Sequence, residues 1–216
     1  MLPDFIPSFS VLAGFTAAAL VLVFTPGPDM ALFLSKTLIQ GRKAGIAALL
    51  GVTSGLIIHT VFAAIGVSAL LAASVFAFTV LKIVGAAYLI WLAVQALRNG
   101  TSIALEAVKI TEQPFHRLWL QGLGVNILNP KIVLFFVTFL PQFVSADDPD
   151  ATGKLLFLGS YFVLLGMPLC LTMILGANAF ARFLKSSPRA VRMFDWAFAG
   201  IMGSFALKLL MAKASN

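Results

Sequence analysis

Thr25-Pro-Gly-Pro-Asp29 is the stretch of sequence on which the fold depends, because it interrupts an otherwise apolar run from 8 to 39. A second stretch, Asn126-Ile-Leu-Asn-Pro-Lys131, interrupts the apolar run from 117 to 144 in the same way. Proline has no backbone N–H and a fixed φ angle, so it suits the first turn of a helix and not its interior. Each stretch therefore predicts a helix that unwinds and restarts as a second half-helix.

The composition of the whole chain is typical of a protein that is embedded in a lipid bilayer. Of the 216 residues, 60% are hydrophobic and 11% are charged, whereas an ordinary soluble domain has about 25% charged residues. A soluble fold of this size could not bury so much apolar side chain. Apolar runs long enough to cross a hydrocarbon core of about 30 Å lie at 8–39, 44–66, 74–97, 117–144, 154–182 and 190–211. The sequence thus predicts an all-α membrane protein, a single domain over 1–216 with six transmembrane helices.

Basic residues are divided unequally between the connections of these helices. Ten Lys or Arg residues lie in the first, third and fifth connections, whereas Lys154, Lys208 and Lys213 lie on the other side. Because cytoplasmic loops carry the excess of Lys and Arg, both termini are expected outside the cell inner membrane and the 98–116 loop inside. The same scatter argues against a nucleic-acid partner, despite a net charge of +7.

The two breaks occupy corresponding positions in two halves of the chain. Pro26 and Pro130 are 104 positions apart, close to half the chain length. Each half holds three spans, so the second half (about 110–216) is predicted to cross in the inverted sense relative to the first (about 1–105). Paired interruptions of this kind indicate a transporter site. The alternative is a pair of kinks that only shape the packing.

The backbone at each break is expected to present free polar groups. Thr25 and Asn129, which precede Pro26 and Pro130, are good N-cap residues. Each restarted helix should direct N–H groups and a partial positive charge toward the membrane interior, where a substrate carboxylate could be held. Irregular backbone is not tolerated against lipid, so both breaks should face protein or a water-filled cavity.

Charged side chains inside the spans are candidates for function because they are costly in lipid. Asp29 follows the first break, Lys131 follows the second, and Lys82 lies in the third span. Structural alternatives remain open for two of them. Lys82 could extend its ammonium to the membrane surface, and Asp29 could form an ion pair with Lys131 or Lys82 that holds the two halves together.

His59, in the second span, could relay protons or could be a buried histidine hydrogen-bonded across helices. Tyr88 is a candidate for a cavity wall. Gly51-Val-Thr-Ser-Gly55 predicts a close helix contact, either within one subunit or across a homodimer. The full set of candidate binding or coupling residues is Thr25, Pro26, Gly27, Pro28, Asp29, His59, Lys82, Tyr88, Asn126, Asn129, Pro130 and Lys131.

No cofactor, metal site or enzymatic centre is expected from the sequence. The two histidines, His59 and His116, lack a carboxylate or thiol at ligand spacing. There is no glycine-rich phosphate loop with its lysine, and no nucleophile–base spacing. The single cysteine, Cys170, is expected to be a small buried hydrophobe.

Three motifs carry a resemblance to a known family. Phe24-Thr-Pro-Gly-Pro-Asp29 resembles the PGP signature of the LysE/RhtB family of amino-acid exporters. Lys82-Ile-Val-Gly-Ala-Ala-Tyr-Leu89 is similar to the third-helix motif of that family. Asn129-Pro-Lys131, with Phe135-Phe136 and Leu140-Pro-Gln-Phe143, is similar to its fourth-span motif. The resemblance implies a secondary transporter that exports amino acids or related small metabolites and is driven by the proton gradient.

The leading hypothesis combines the breaks with this resemblance. The substrate carboxylate would be held by the half-helix N-termini and Lys131, and its ammonium near Asp29. The expected partners are a small-molecule substrate, protons and the lipid bilayer, and a homodimer remains open. One alternative is a channel or cation exporter without proton coupling. Another is a membrane-embedded enzyme or assembly factor, which would show no net solute flux.

Overall fold

Helices form all of the regular secondary structure in the part of the chain that the computed structural model describes. Those residues are 5–74, 112–145 and 148–187, with isolated positions between 76 and 94 and between 189 and 204. The helices are α1 (Phe9–Phe24), α2 (Pro28–Gln40), α3 (Arg42–Ala73), α4 (Phe115–Ile127), α5 (Pro130–Leu134), α6 (Ala151–Leu175) and α7 (Ala177–Ser186). The predicted all-α class is confirmed.

Two kinds of candidate membrane span are present. Residues Arg42–Val67 of α3, and all of α6, are each long and apolar enough to cross a membrane. Two bent pairs, α1 with α2 and α4 with Pro130–Phe143, each pass the same test as one broken span. The predicted third and sixth spans, 74–97 and 190–211, lie largely outside the described residues.

The first break lies where the sequence predicts it, but its capping differs. α1 ends at Phe24, α2 begins at Pro28, and the two axes are bent by 50°. Thr25 Oγ1 donates to Val21 O at 2.7 Å, so Thr25 closes the end of α1. Gly27, in extended conformation, is the N-cap of α2. The prediction that Thr25 caps the restarted helix is therefore wrong: the helix restarts at Pro28, the second proline of the break, and not at Pro26.

The second break follows the sequence prediction more closely. α4 ends at Ile127, and the chain bends by 52° before α5 begins at Pro130. Asn129 Oδ1 accepts a hydrogen bond from Lys131 N at 3.1 Å, which confirms Asn129 as an N-cap. Beyond Leu134 the helix continues through a π-helical turn (Phe135–Phe139) and a 3-10 turn (Leu140–Phe143).

The fifth apolar run, predicted as one span over 154–182, is divided. α6 continues through Pro168 but ends at Leu175, and α7 begins after Gly176. Arg42 Nη2 donates to Leu175 O at 2.9 Å. The bond satisfies one of the carbonyls that a helix C-terminus leaves unpaired. α6 is itself a candidate span, but it ends at Leu175 and not near 182, because hydropathy does not report where a helix ends within an apolar segment.

Glycine residues allow the backbone of α3 to contact the backbone of a neighbouring helix directly. α3 packs along α4 and α6 and also contacts α2. A Cβ atom added at Gly51 would overlap Trp119 O, and one added at Gly122 would overlap Ala48 O. Gly55 lies against the side chain of Asn126 in the same way. The Gly51–Gly55 contact therefore joins α3 to α4 within one subunit.

An aromatic cluster fills the space behind the second break. The π-helical turn directs Phe135, Phe136 and Phe139 into a buried core with Phe15 and Phe162. The rings of Phe135 and Phe162 are 4.7 Å apart, and those of Phe135 and Phe139 are 5.2 Å apart. Aromatic pairs at these separations add to the free energy gained from burial alone.

Two hydrogen bonds link the connection between α2 and α3 to distant parts of the chain. Gln113 N donates to Gln40 Oε1 at 3.1 Å, which joins the first connection to the end of the third. The bond from Arg42 to Leu175 O joins the first connection to the C-terminal end of α6. At the other end of α6, Phe157 packs against Phe5, with ring centroids 6.2 Å apart. The segment around Gln40 and Arg42 thus contacts Gln113 and the C-terminal end of α6, whereas Phe5 lies toward the other end of α6.

We expect Gly122→Ala to destabilise the protein and Gly124→Ala, on the same helix, to leave it as stable or more stable. A methyl group at Gly122 overlaps backbone, and overpacking of this kind costs about 1–3 kcal/mol. A methyl group at Gly124 would meet no neighbouring atom within 4 Å, so alanine there contributes only its helix propensity, about 0.5–1 kcal/mol. Thermal unfolding in detergent measures both, and equal stability of the two variants would contradict the close α3–α4 contact.

Candidate functional site

Lys131 joins the two breaks, although they are about a hundred residues apart in sequence. Its ammonium donates to Thr25 O at 2.8 Å and to Leu22 O at 3.3 Å. These carbonyls lie at the C-terminal end of α1, where the last carbonyls of a helix lack partners and the helix dipole favours a cation. A lysine from the second break therefore caps the half-helix that precedes the first break.

Gly27 gives Lys131 the room to reach across. A Cβ atom at Gly27 would lie 3.0 Å from Lys131 Nζ and 3.3 Å from Lys131 Cε. The φ angle of Gly27 is −170°, an extended value that any residue adopts. A larger side chain at this position would therefore press on the end of Lys131, and the constraint is one of space and not of backbone conformation.

Asp29 lies in the first turn of α2 and is held by Asn126. Asn126 Nδ2 donates to Asp29 Oδ2 at 2.8 Å, and its own backbone carbonyl accepts from His59 Nε2 at 3.3 Å. Of the two alternative ion-pair partners, Lys82 lies outside the described residues, and the charge of Lys131 attracts the carboxylate while Asn126 donates to Oδ2. The carboxylate is consequently fixed relative to α3 and α4.

The two breaks, together with α1, α2, α3, α5 and α6, line a cavity of about 60 Å³. One water needs roughly 10–15 Å³ of such space, so the cavity has room for several groups of that size. Its polar lining comes mainly from the breaks and consists of Thr25, Asp29, Thr53, Asn129 and Lys131. Its apolar wall includes Met30, Phe33, Val52, Ile132, Phe162 and Met167.

Two polar atoms in the cavity lining are buried without a hydrogen-bond partner. They are Asp29 Oδ1, an acceptor, and Asn129 Nδ2, a donor. Asn126 Oδ1 is a third such atom, but it faces Gly55 and not the cavity. Buried polar groups are nearly always paired, and each that is not costs about 1–3 kcal/mol. The side chains of Asp29 and Asn129 interact with each other, so the two atoms lie close together, and a bound molecule with one donor and one acceptor would satisfy both.

The remaining residues predicted from the sequence either do not line the cavity or lie outside the described residues. Pro26 is buried within the first break, whereas Pro28 and Pro130 are exposed at the starts of α2 and α5. His59 stacks on Phe136, with ring centroids 5.7 Å apart, and contacts Asn126, but it does not line the cavity. Lys82 and Tyr88 lie outside the described residues.

Several cavity residues are not apparent from the sequence. Thr53 lies inside the small-residue stretch of α3, and its hydroxyl donates to Leu49 O at 2.9 Å. Cys170, expected to be an inert hydrophobe, lines the cavity together with Phe162 and Gly166 of α6. Pro168, in the same stretch of α6, is a sequence signal near this wall, although the helix continues through it. Among the described residues, no group of three or more metal-binding side chains is present.

Comparison with curated proteins gives relatives of similar length. The chain is 34% identical to the membrane protein YrhP of Bacillus subtilis over 82% of this chain and 87% of that protein. It is 30% identical to the homoserine/homoserine lactone efflux protein of Salmonella typhimurium over 84% and 86% of the two chains. It is 25% identical to the leucine efflux protein of Enterobacter sp. over 90% and 92%. No solved structure matches.

The family resemblance of the sequence motifs is confirmed by a family model. The model that matches is that of the LysE type translocator, and the match extends over residues 20–213 of the chain. It therefore includes both breaks and the whole of the cavity lining. The chain belongs to the LysE type translocator family, whose members are membrane transport proteins and not enzymes.

Proposed function

We propose that the protein is a secondary transporter of the inner membrane that exports amino acids or related small metabolites and is driven by the proton gradient. The observation that carries this proposal is the pair of unpartnered atoms, Asp29 Oδ1 and Asn129 Nδ2, beside the ammonium of Lys131 in one cavity. Two relatives are named as efflux proteins for homoserine and for leucine, which supports an amino-acid substrate.

The cavity complements an α-amino acid group by group. The substrate ammonium donates to Asp29 Oδ1, and its carboxylate accepts from Asn129 Nδ2 and from Lys131. One anionic and one cationic side chain line the described cavity, so a zwitterion leaves no net charge buried. Lys131 then divides its hydrogen bonds between the substrate and the carbonyls at the end of α1.

Two inverted three-helix halves, about 1–105 and 110–216, provide a route to alternating access. Each half contributes one broken helix, and the bends of 50° and 52° are nearly equal. Polar contacts between the breaks include those of Lys131 with Thr25 and Leu22, and that of Asn126 with Asp29. A rocking motion that exchanges these contacts for contacts with the substrate opens the site to one side and then to the other.

Competition at Asp29 couples the substrate to protons. Asp29 is the one carboxylate among the described residues that line the cavity. When a proton binds Asp29, the neutral carboxyl no longer attracts the substrate ammonium, so proton and substrate exclude each other. Protonation on the outside releases the substrate there, and loss of the proton to the cytoplasm makes the site ready for the next substrate molecule.

Proton-driven export predicts uphill flux in reconstituted vesicles. With purified protein in proteoliposomes, a pH gradient should drive accumulation of a labelled amino acid on the acidic side, and a protonophore should abolish that accumulation. The control is a set of vesicles without protein. A channel or cation exporter would instead give only downhill flux that is insensitive to the pH gradient, and that result would favour the alternative.

We expect Asp29→Asn and Lys131→Gln each to reduce transport by about 10–100-fold, because a hydrogen bond to a charged group contributes about 1.5–3 kcal/mol. Lys131→Gln should also lower the unfolding temperature, since it removes the donor to Thr25 O and Leu22 O. Initial rates of counterflow in proteoliposomes measure the first effect.

The matched control for these variants is Asp148→Asn. Asp148 lies in the connection before α6, where Lys154 Nζ donates to its Oδ2 at 2.6 Å. This hydrogen bond and the charge of Lys154 hold the pKa of Asp148 below its usual value. The pair is remote from the cavity, so its loss should leave transport unchanged. Normal transport by Asp29→Asn would show that the carboxylate has no part in binding or coupling.

Orientation is tested by labelling from one side of the membrane. In a Cys170→Ala background, Gly100→Cys should react with an impermeant thiol reagent only after the cytoplasmic side is exposed. Asp150→Cys, in the acidic connection, should react from outside. The expectation follows from the excess of basic residues in the odd-numbered connections. Reaction of Gly100→Cys in intact cells would reverse the proposed orientation.

A further inference from the structure

We infer that this transporter selects amino acids whose side chains are uncharged and aliphatic, and that it rejects those with a second charge. The inference rests on the proposed function and adds the substrate class. It depends on how the lining of the cavity is divided: polar side chains lie chiefly at the breaks, and the remaining wall is almost entirely apolar. The two parts of the lining therefore recognise different parts of the substrate.

The charged groups of the cavity are already engaged by the α-carbon substituents. Asp29 and Lys131 are the charged side chains among the described residues of the lining. With the substrate ammonium on Asp29 and its carboxylate on Lys131, no charge of either sign remains for the side chain. A lysine or glutamate side chain would have to bury its charge unpaired, and an unpaired buried charge is strongly unfavourable.

The wall that faces the substrate side chain is built by four helices. Met30 and Phe33 come from α2, Val52 from α3, Ile132 from α5, and Phe162 and Met167 from α6. Methyl, methylene and ring groups of this kind match an aliphatic side chain, and they gain free energy from its burial.

The hydroxyl groups in the lining do not change this preference. Thr25 and Thr53 donate their hydroxyl hydrogens to carbonyls of their own helices, Val21 O at 2.7 Å and Leu49 O at 2.9 Å. Each retains only the capacity to accept. A small hydroxylated side chain can therefore be tolerated, because a donor on it can reach such an oxygen, but no free donor favours it over an aliphatic one.

Cys170 supplies a direct reporter for binding. It is the only cysteine in the chain, and it lines the same cavity as Asp29 and Met167. Modification of its thiol by methyl methanethiosulfonate, a small neutral reagent, is followed by mass spectrometry in the purified wild-type protein. Leucine, norvaline and homoserine are tested as protecting ligands beside lysine and glutamate, each at the same concentration. No substitution is needed.

We expect leucine and norvaline to slow the modification at least about tenfold, homoserine to slow it less, and lysine and glutamate to have no effect. Protection by lysine equal to that by leucine would overturn the inference and leave amino-acid export intact. If no amino acid protects Cys170 while the protein transports leucine, the cavity is not the substrate site and the inference also fails. If none is transported, the proposed function itself is wrong.

Should the thiol prove unreactive, the same five amino acids are tested as inhibitors of the counterflow of labelled leucine. Inhibition then replaces protection of Cys170 as the measure of binding, with the same expected results.

Two variants test the apolar wall without touching the charged groups. Gly166 lines the cavity, and a Cβ atom there would meet Val23 at 3.4 Å, an ordinary contact, so Gly166→Ala should fold. It should lower the affinity for leucine about tenfold relative to the affinity for alanine, which is the usual effect of one methylene in an apolar pocket. Met167 is partly exposed, and Met167→Glu should allow lysine to compete with leucine. If Gly166→Ala leaves the ratio of the leucine and alanine affinities unchanged, this wall does not contact the side chain of the substrate.

Discussion

The structure depends on one constraint: a helix broken inside a membrane must satisfy its freed backbone groups from within the protein. At the first break the freed groups include Thr25 O and Leu22 O, and the donor that satisfies them is the ammonium of Lys131. At the second break, Asn129 satisfies Lys131 N. Because Lys131, a residue of the second break, donates these hydrogen bonds to the first break, neither broken helix has its native environment without the other. The pairing of the breaks is therefore a requirement of folding as well as a basis for transport.

The same constraint explains why the site is polar at one end only. Groups that complete the broken helices must gather where the backbone is irregular, so Asp29, Asn129 and Lys131 are close together. The regular helices around them pair most of their backbone groups internally and present apolar side chains toward the same space. Asn126 secures the arrangement, since it is fully buried and binds both Asp29 and His59. A histidine outside the cavity thereby influences the position of the carboxylate inside it.

The sequence predicts what local chemistry determines. Proline at 26, 28 and 130 locates both breaks, and the N-cap role of Asn129 follows from its place before Pro130. It does not predict which of two prolines restarts α2, because Pro26 and Pro28 are both compatible with a first helical turn. Nor does it predict that Asn126 is the hydrogen-bond partner of Asp29, or that Cys170 lines the cavity. Those facts depend on how helices from distant parts of the chain are arranged, and a hydropathy pattern contains no such distances.

The glycine contacts between α3 and α4 have a mechanical consequence. Where Gly51 and Gly122 bring two backbones together, no flexible side chain lies between them to absorb a displacement. Packed interfaces of this kind have discrete arrangements and do not deform continuously. α3 belongs to the first half of the chain and α4 to the second, so a rocking motion between the halves must move this contact in a step from one packing arrangement to another. Val52 and Thr53 change position relative to Asn126 only in that step, and the cavity should therefore alternate between discrete shapes and not widen gradually.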